Sequence, residues 1–223
     1  MPRSAEDASA EFEGDLPLAG TAVVLRDAPE GMQVLLLLRP DRGSFAGSWV
    51  FPGGRLEPGD LGDDEVERAK SAAVRETAEE AGIRIRDLVA LSCWEPPREI
   101  PKRIRTWFFL ASEDGDEVRV NPGEIERALW VSPEAALRMQ AEGELVLWPP
   151  TWVTLHGLLL HRTAADARAA LGAPELRRTR ILETADGRVF LWEGDEHHSE
   201  QPGAPGARNR VATGRLPWTY ERS

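Results

Sequence analysis

Three observations in the sequence predict an α+β fold with a mixed sheet and a C-terminal annex of helices and a hairpin. Strand-like and helix-like segments alternate without the repeated βαβ rhythm of a long parallel sheet. One segment, from Asp63 or Asp64 to Ala81, has helical periodicity, with acidic residues at its start and Gly82 at its stop, as helix ends prefer. Beyond Val131 the character changes to short helical stretches and two alternating runs around Asp186-Gly187, a strong hairpin-turn pair.

The elements follow in order. Residues 1–16 are acidic, lack the apolar core of a signal peptide and read as a loosely ordered leader. Leu18–Arg26 is rich in small and branched apolar residues and predicts a strand. Asp27–Gly31 is a turn, and Met32–Leu38 a second, buried strand. Ser48–Pro52 is a short strand running into Gly53-Gly54, and Gly54–Gly62 is a loop. After the long helix, strands are expected at 84–94, 105–112, 117–120 and 127–131. Ser132 and Pro133 suit the N-cap and first position of a further helix. Pro149-Pro150 punctuates, and Thr151–His161 and Ala164–Leu171 read as two more helices. Thr179–Trp192 is the hairpin, 195–209 a polar Pro/Gly-rich loop, and Val211–Tyr220 a final short strand. The expected organisation is a leader to residue 16, a core over 17–145, and C-terminal helices, hairpin and tail over 146–223 packed on that core.

Composition limits the function. The 223 residues carry a net charge of -11 and 41% hydrophobic residues, enough for an ordinary core but poorly suited to general nucleic-acid binding, which needs a basic surface. The single cysteine, Cys93, rules out an intramolecular disulfide and reads as a small core residue in a reducing, cytoplasmic setting. The longest aliphatic run, Val34–Leu38, is too short to cross a bilayer. His156, His161, His197 and His198 form no convincing zinc set, and the adjacent pair His197-His198 is expected to face solvent.

The most informative stretch is RETAEEAG, residues 75–82. On a helix, Ala69, Ala73 and Thr77 lie within about 60° of Val66 and form a packed stripe. Glu80 lies only about 40° from Val66, and Glu76 about 80°. A solvated charged face explains most glutamate clusters, and Arg75–Glu79 is an ordinary i,i+4 pair. Yet a carboxylate at position 80 is costly to bury unpaired, and three carboxylates near a helix C-terminus oppose its dipole. Hard oxygen donors from Glu76, Glu79 and Glu80 suit Mg²⁺ or Mn²⁺. The preceding glycines let the backbone approach a ligand closely.

Together these residues resemble the Nudix box, G-x5-E-x7-R-E-U-x-E-E-x-G-U, where U is a bulky aliphatic residue. Gly54 starts it, Arg75-Glu76 and Glu79-Glu80 carry its second half, and Gly82-Ile83 close it. Three departures stand out. Counting from Gly54, the first acidic position is Asp60 rather than Glu. Thr77 replaces an aliphatic residue. Fourteen residues separate Asp60 from Arg75 where seven are usual, whereas counting back from Arg75 leads to Glu67. The resemblance implies an α/β/α sandwich with a mixed central sheet. It implies metal-binding Glu76, Glu79 and Glu80, with Glu76 also placed to activate water, and a Gly54 carbonyl that reaches the metal. Arg75 would orient the glutamates, with Glu67 or Asp60 as its partner. Glu124 is the candidate for a further metal carboxylate from a later loop, with Glu126 as the alternative. The implied activity is hydrolysis of a diphosphate in a nucleoside diphosphate derivative, by a metal-activated water attacking phosphorus in line.

Arg39 and Arg42 precede the box, and Arg98, Lys102, Arg103 and Arg105 follow it. Such clusters in an acidic chain are candidate phosphate contacts. WVFPGGRLEPGD, KRIRTWFFLA and the PPTWVTLHGLL region are similar to the coenzyme A diphosphatase branch of the family, over roughly residues 18–220. This implies cleavage of CoA or acyl-CoA to 3',5'-ADP and a 4'-phosphopantetheine product. Arg105 and Trp107 depart from that branch's Asp and Arg. Trp148, Trp152 and Leu158 are either core or the walls of a pantetheine or acyl pocket. ADP-ribose or nucleotide-sugar hydrolysis and a non-catalytic nucleotide sensor are the alternatives. The expected partner is a small-molecule diphosphate, with no nucleic-acid polymer and no membrane, and a homodimer is a possible assembly.

Overall fold

The computed structural model describes residues 16–43 and 45–223. Almost all of the expected leader therefore lies outside the described residues. Strand β1 (Leu18–Ala28) is the spine of an eight-stranded mixed sheet. It pairs antiparallel with β2 (Gly31–Leu38) at one end and with β4 (Gly53–Arg55) at the other. Along its other edge it runs parallel to β6 (Arg105–Glu113), which pairs antiparallel with β5 (Ile85–Glu95). β2 also pairs with β3 (Trp49–Val50) and β7 (Arg127–Val131).

Strand alternation sends side chains to two cores, because successive residues point to opposite faces. Val23, Leu25, Val34, Leu36, Phe108 and Leu110 enter one cluster. Ala22, Val24, Leu35, Leu37, Trp107 and Phe109 enter the other. Helix α1 (Glu65–Ala81) covers the second face. Helices α2 (Pro133–Ala141), α3 (Pro149–Leu158) and α4 (Ala164–Ala169) contribute to the first. This is the α/β/α layering and mixed sheet that the sequence predicts.

α1 lies close to β1 because both surfaces are small. A Cβ on Gly20 would sit 1.7 Å from the Ala69 carbonyl oxygen, so only glycine permits this approach. Asp64 caps the helix start, its Oδ1 accepting from the Glu67 N–H at 2.8 Å. Gly82 ends the helix in the left-handed region at φ 68°, a conformation that favours glycine.

Several expectations are corrected. Residues 117–120 form no strand. The Arg119 and Asn121 N–H groups instead donate to the Ala81 and Glu80 carbonyls at 2.8 and 3.0 Å, satisfying helix-end acceptors that α1 cannot satisfy itself. Gly54 and Arg55, expected at the start of a loop, belong with Gly53 to strand β4. The two predicted C-terminal helices end earlier, at Leu158 and Ala169. The hairpin consists of β9 (Arg180–Thr184) and β10 (Gly187–Leu191). Thr184 pairs with Gly187, so Ala185 and Asp186 form the turn. The expected single terminal strand is two, β11 (Asn209–Ala212) and β12 (Thr219–Arg222), which extend the hairpin into a four-stranded antiparallel sheet. β8 (Glu175–Arg178), unforeseen, pairs parallel with β5 and so adds a strand of the C-terminal segment to the main sheet.

His198 is also corrected. It is buried rather than solvent-facing, with its Nδ1 accepting from the Gln201 N–H and its Nε2 against the Arg178 carbonyl, both at 3.0 Å. His197 keeps an exposed ring. Cys93 is buried, and burial pushes its thiol well above the usual range. Among the described residues no helix is long and apolar enough to cross a membrane.

Candidate active site

The site forms where the last turns of α1 meet β4 and the loop before β7. α1 presents Glu76 and Glu80 one turn apart, on the side that faces the sheet. Glu80 is 1% exposed. Its Oε1 accepts from Arg39 Nη1 at 2.6 Å, and its Oε2 from the Gly53 N–H at 3.0 Å. Burial pushes its pKa up to about 7, the Gly53 N–H and Arg39 pull down, and the Glu76 and Glu124 charges push up again. Glu76 is raised by the same burial, only partly offset by Arg75. Its carboxylate lies against Gly54, where a Cβ would stand 2.3 Å from Glu76 Oε1. Glu124 comes from the exposed turn before β7, whose Asn121 is bonded to the end of α1.

Each of Glu76, Glu80 and Glu124 offers an oxygen within 4.8 Å of the others. Among the described residues this is the one group of His, Cys, Asp or Glu side chains close enough to hold a metal ion. Glu79 stands outside it, half exposed, with its carboxylate on Arg75 Nη1 at 2.9 Å. Glu126 uses its N–H to bond the Leu38 carbonyl at 2.9 Å and is not in the group.

Arg75 organises the outer layer. Its Nε and Nη2 donate to the two oxygens of Asp60 at 3.1 and 3.0 Å, its Nη1 to Glu76 and Glu79, and its Nη2 also to the Arg55 carbonyl. These contacts hold its pKa above the usual arginine value. The sequence leaves Glu67 and Asp60 open as the partner, and the structure places Asp60 there. Burial alone would raise Asp60, but Arg75 and the Glu57 N–H outweigh it and hold the carboxyl below its usual value. Glu67 instead faces Lys70 at 3.5 Å on the exposed side of α1. The extra residues between Asp60 and Arg75 thus form the loop before α1 and its first turns.

A model of the NUDIX domain matches residues 16–152. The chain belongs to the NUDIX domain family. A Bacillus subtilis (strain 168) protein described as "Putative 8-oxo-dGTP diphosphatase" is 31% identical over 104 residues, covering 47% of this NUDIX chain and 60% of the relative. The chain therefore spans about 60% of that curated relative's length. A NUDIX hydrolase from Alicyclobacillus acidocaldarius is similar in structure, with a TM-score of 0.64 and 26% identity, over 72% of this chain and 98% of that one. The NUDIX domain of Shewanella oneidensis NrtR, crystallised with ADP ribose, shares the fold at a TM-score of 0.53 and 14% identity, over 75% of this chain and 100% of that one.

Within this NUDIX domain the candidate phosphate contacts scatter. Arg39 is on Glu80, and Arg42 Nη2 donates to the Gly123 carbonyl at 3.3 Å, beside Glu124. Arg98 pairs with Glu200 at 2.9 Å, and Arg103 with Glu95 and the Pro96 carbonyl. Lys102 is exposed on the same β5–β6 loop. The structure thus brings Arg39 and Arg42 to the carboxylates and gives Arg98 and Arg103 partners elsewhere. Arg105 and Trp107 are buried, and both donate to Glu65 at the start of α1, at 3.0 and 2.6 Å. The sequence reading missed this anchor, and two polar-tipped residues in a core strand were the available signal. Trp152 and Leu158 are core residues, whereas Trp148 is 44% exposed. A groove of about 520 Å³ between α1 and β5, lined by Val66, Lys70, Leu88, Phe109 and Pro174, contains none of the three clustered carboxylates.

Proposed function

We propose that this chain is a metal-dependent diphosphatase that hydrolyses a diphosphate linkage in a nucleoside diphosphate derivative. The observation that carries the reading is the convergence of Glu76, Glu80 and Glu124 within 4.8 Å. Three converging carboxylate oxygens, with Arg75 shared among Asp60, Glu76 and Glu79, fit a hard dication, Mg²⁺ or Mn²⁺. When bound, such an ion supplies charge neutralisation of the diphosphate and a water of lowered pKa. Glu76, Glu80 and Glu124 would hold it, with the Gly54 backbone alongside.

The chain's own groups do the rest. Glu76 is half-buried and more basic than an ordinary carboxylate, which suits it to accept the proton of the attacking water. Arg75 fixes Glu76 through Asp60 and the Arg55 carbonyl. Arg39 and Arg42 flank the carboxylates and supply donors for phosphate oxygens. Glu79, one position outside the group, steadies Arg75.

CoA or acyl-CoA, cleaved to 3',5'-ADP and a 4'-phosphopantetheine product, is the substrate supported by the extended sequence similarity. Two positions that depart from that branch, Arg105 and Trp107, are committed to Glu65 and supply no support. The Bacillus subtilis relative, described as a "Putative 8-oxo-dGTP diphosphatase", favours a second reading, a simpler nucleotide substrate, and ADP-ribose and nucleotide sugars are the further alternatives. Incubation with Mg²⁺ or Mn²⁺ and CoA, acetyl-CoA, ADP-ribose and nucleotide sugars, with product identification, separates CoA from those alternatives. Undiminished turnover in Glu80→Gln would sink the metal assignment, and no cleavage of any compound would favour a sensor.

A further inference from the structure

The loop between β2 and β3 begins at Arg39, on Glu80, and closes on itself where the Arg39 N–H donates to the Ser48 carbonyl at 3.0 Å. Arg42 ties it to Gly123, beside Glu124. At its tip Phe45 is 51% exposed and has a positive φ of 59°. A bulky residue in this region is an outlier, and such strain persists where the surroundings impose it, often at ligand sites. Burial does not explain it, since half the ring faces solvent.

Trp148 meets Phe45 edge to face, with ring centroids 5.4 Å apart at 84°, and is itself 44% exposed. Its orientation is fixed by Nε1 donating to Ser48 Oγ at 3.2 Å and by the prolines that follow it at the start of α3. Trp148, Ser48, Arg39 and Glu80 thus form a continuous chain of contacts from an exposed aromatic pair to the clustered carboxylates. An edge-to-face pair leaves ring surface open, and a rigid aromatic face with a basic neighbour suits a planar, electron-rich ring attached to phosphate.

We propose that Phe45 and Trp148 form the subsite for the nucleobase of the substrate, with Arg39 and Arg42 leading from it to the diphosphate. This rests on the nucleoside diphosphate reading above and adds the part of the substrate that the carboxylates do not recognise. The base stacks on the exposed ring faces, and the ribose and phosphates run along the loop toward Glu80.

Binding can be tested apart from hydrolysis. Titration of the unmodified chain with adenosine monophosphate, followed calorimetrically, is expected to show binding that Phe45→Ala and Trp148→Ala weaken by about tenfold. Trp148→Phe, which keeps a ring but loses the Ser48 bond, is expected to retain most of it. Phe45→Gly relieves the backbone strain, so it is expected to raise Tm while lowering affinity, an opposition that a purely structural Phe45 would not produce. In turnover, the ratio of kcat/KM for a base-containing diphosphate to that for one lacking a base should fall about tenfold in Phe45→Ala, through KM. Affinity for adenosine monophosphate unchanged in both alanine variants, or a loss that follows pantetheine rather than the base, overturns the subsite. Ring-dependent binding without hydrolysis of any diphosphate keeps the subsite and overturns the catalytic reading instead.

Discussion

Glu80 holds a buried carboxylate whose solvation is only partly replaced by Arg39 and the Gly53 N–H. Its folded pKa, about 7, lies above the ordinary value of 4.5, so the metal-free folded state binds a proton more tightly than the unfolded chain. The associated stability is full below about pH 4.5 and is lost as pH rises through about 7. The full shift corresponds to about 3 kcal/mol. Without divalent ions, Glu80→Gln is therefore expected to melt higher than the unmodified chain at pH 8.5, with the gap shrinking toward pH 5. Added Mg²⁺ should reverse the order by stabilising only the unmodified chain. A pH-independent gap in melting scans with chelator would count against the buried-carboxylate account. At Gly54 the expected effect is different. A methyl there meets the end of the Glu76 side chain rather than backbone, so the glutamate can swing away. Gly54→Ala should keep Tm within about 3 °C yet cut kcat by about a hundredfold, and equal losses of both would show that the glycine serves folding instead. The helical wheel already places Glu80 near the packed side. It cannot choose Asp60 over Glu67 for Arg75, because that depends on how the lengthened loop returns to the helix.

Elements are legible where burial is periodic and obscure where backbone groups are satisfied irregularly. α1 and strands β1, β2, β5, β6 and β7 follow their apolar patterns closely. Residues 117–120 have a plausible strand composition, but Arg119 and the adjacent Asn121 spend their N–H groups on the end of α1. No sequence pattern announces that service. The α1–β1 contact makes a sharper prediction. A Cβ on Gly20 would meet the Ala69 carbonyl oxygen at 1.7 Å and the Ala73 nitrogen at 2.9 Å. Both are backbone atoms, so α1 would have to lift along its packed stripe. Gly20→Ala is expected to lower stability by at least about 3 kcal/mol in urea unfolding, as overpacking in a tight core does, and to disturb the carboxylates that α1 carries. A change under about 1 kcal/mol would mean the layer yields more easily than its contacts suggest.

At the scale of the molecule, the C-terminal segment is woven into the core rather than appended to it. β8 pairs with β5, and Trp192 packs edge-on against Trp94 of β5 at 5.5 Å. Arg177 lies over both indoles, 5.0 and 5.2 Å from their centroids. The sequence shows a hairpin but not its destination, because parallel pairing with a distant strand leaves no local pattern. Asp195 locks the far side of this sheet. It is fully buried, accepts from Arg210 and from the Asn209 and His197 N–H groups, and is held at about 2 although burial alone would raise it. Its contribution is therefore present above the unfolded value near 3.8 and lost as pH falls through about 2. Asp195→Asn leaves the Arg210 guanidinium without its counter-charge and should cost about 3 kcal/mol at pH 7, the deficit narrowing below pH 4. Because the sheet is joined to the core through β8 and the tryptophans, far-UV circular dichroism and tryptophan fluorescence should shift together in a single transition. Two separated transitions in the variant, with the core melting at its original midpoint, would show instead that the C-terminal sheet unfolds on its own.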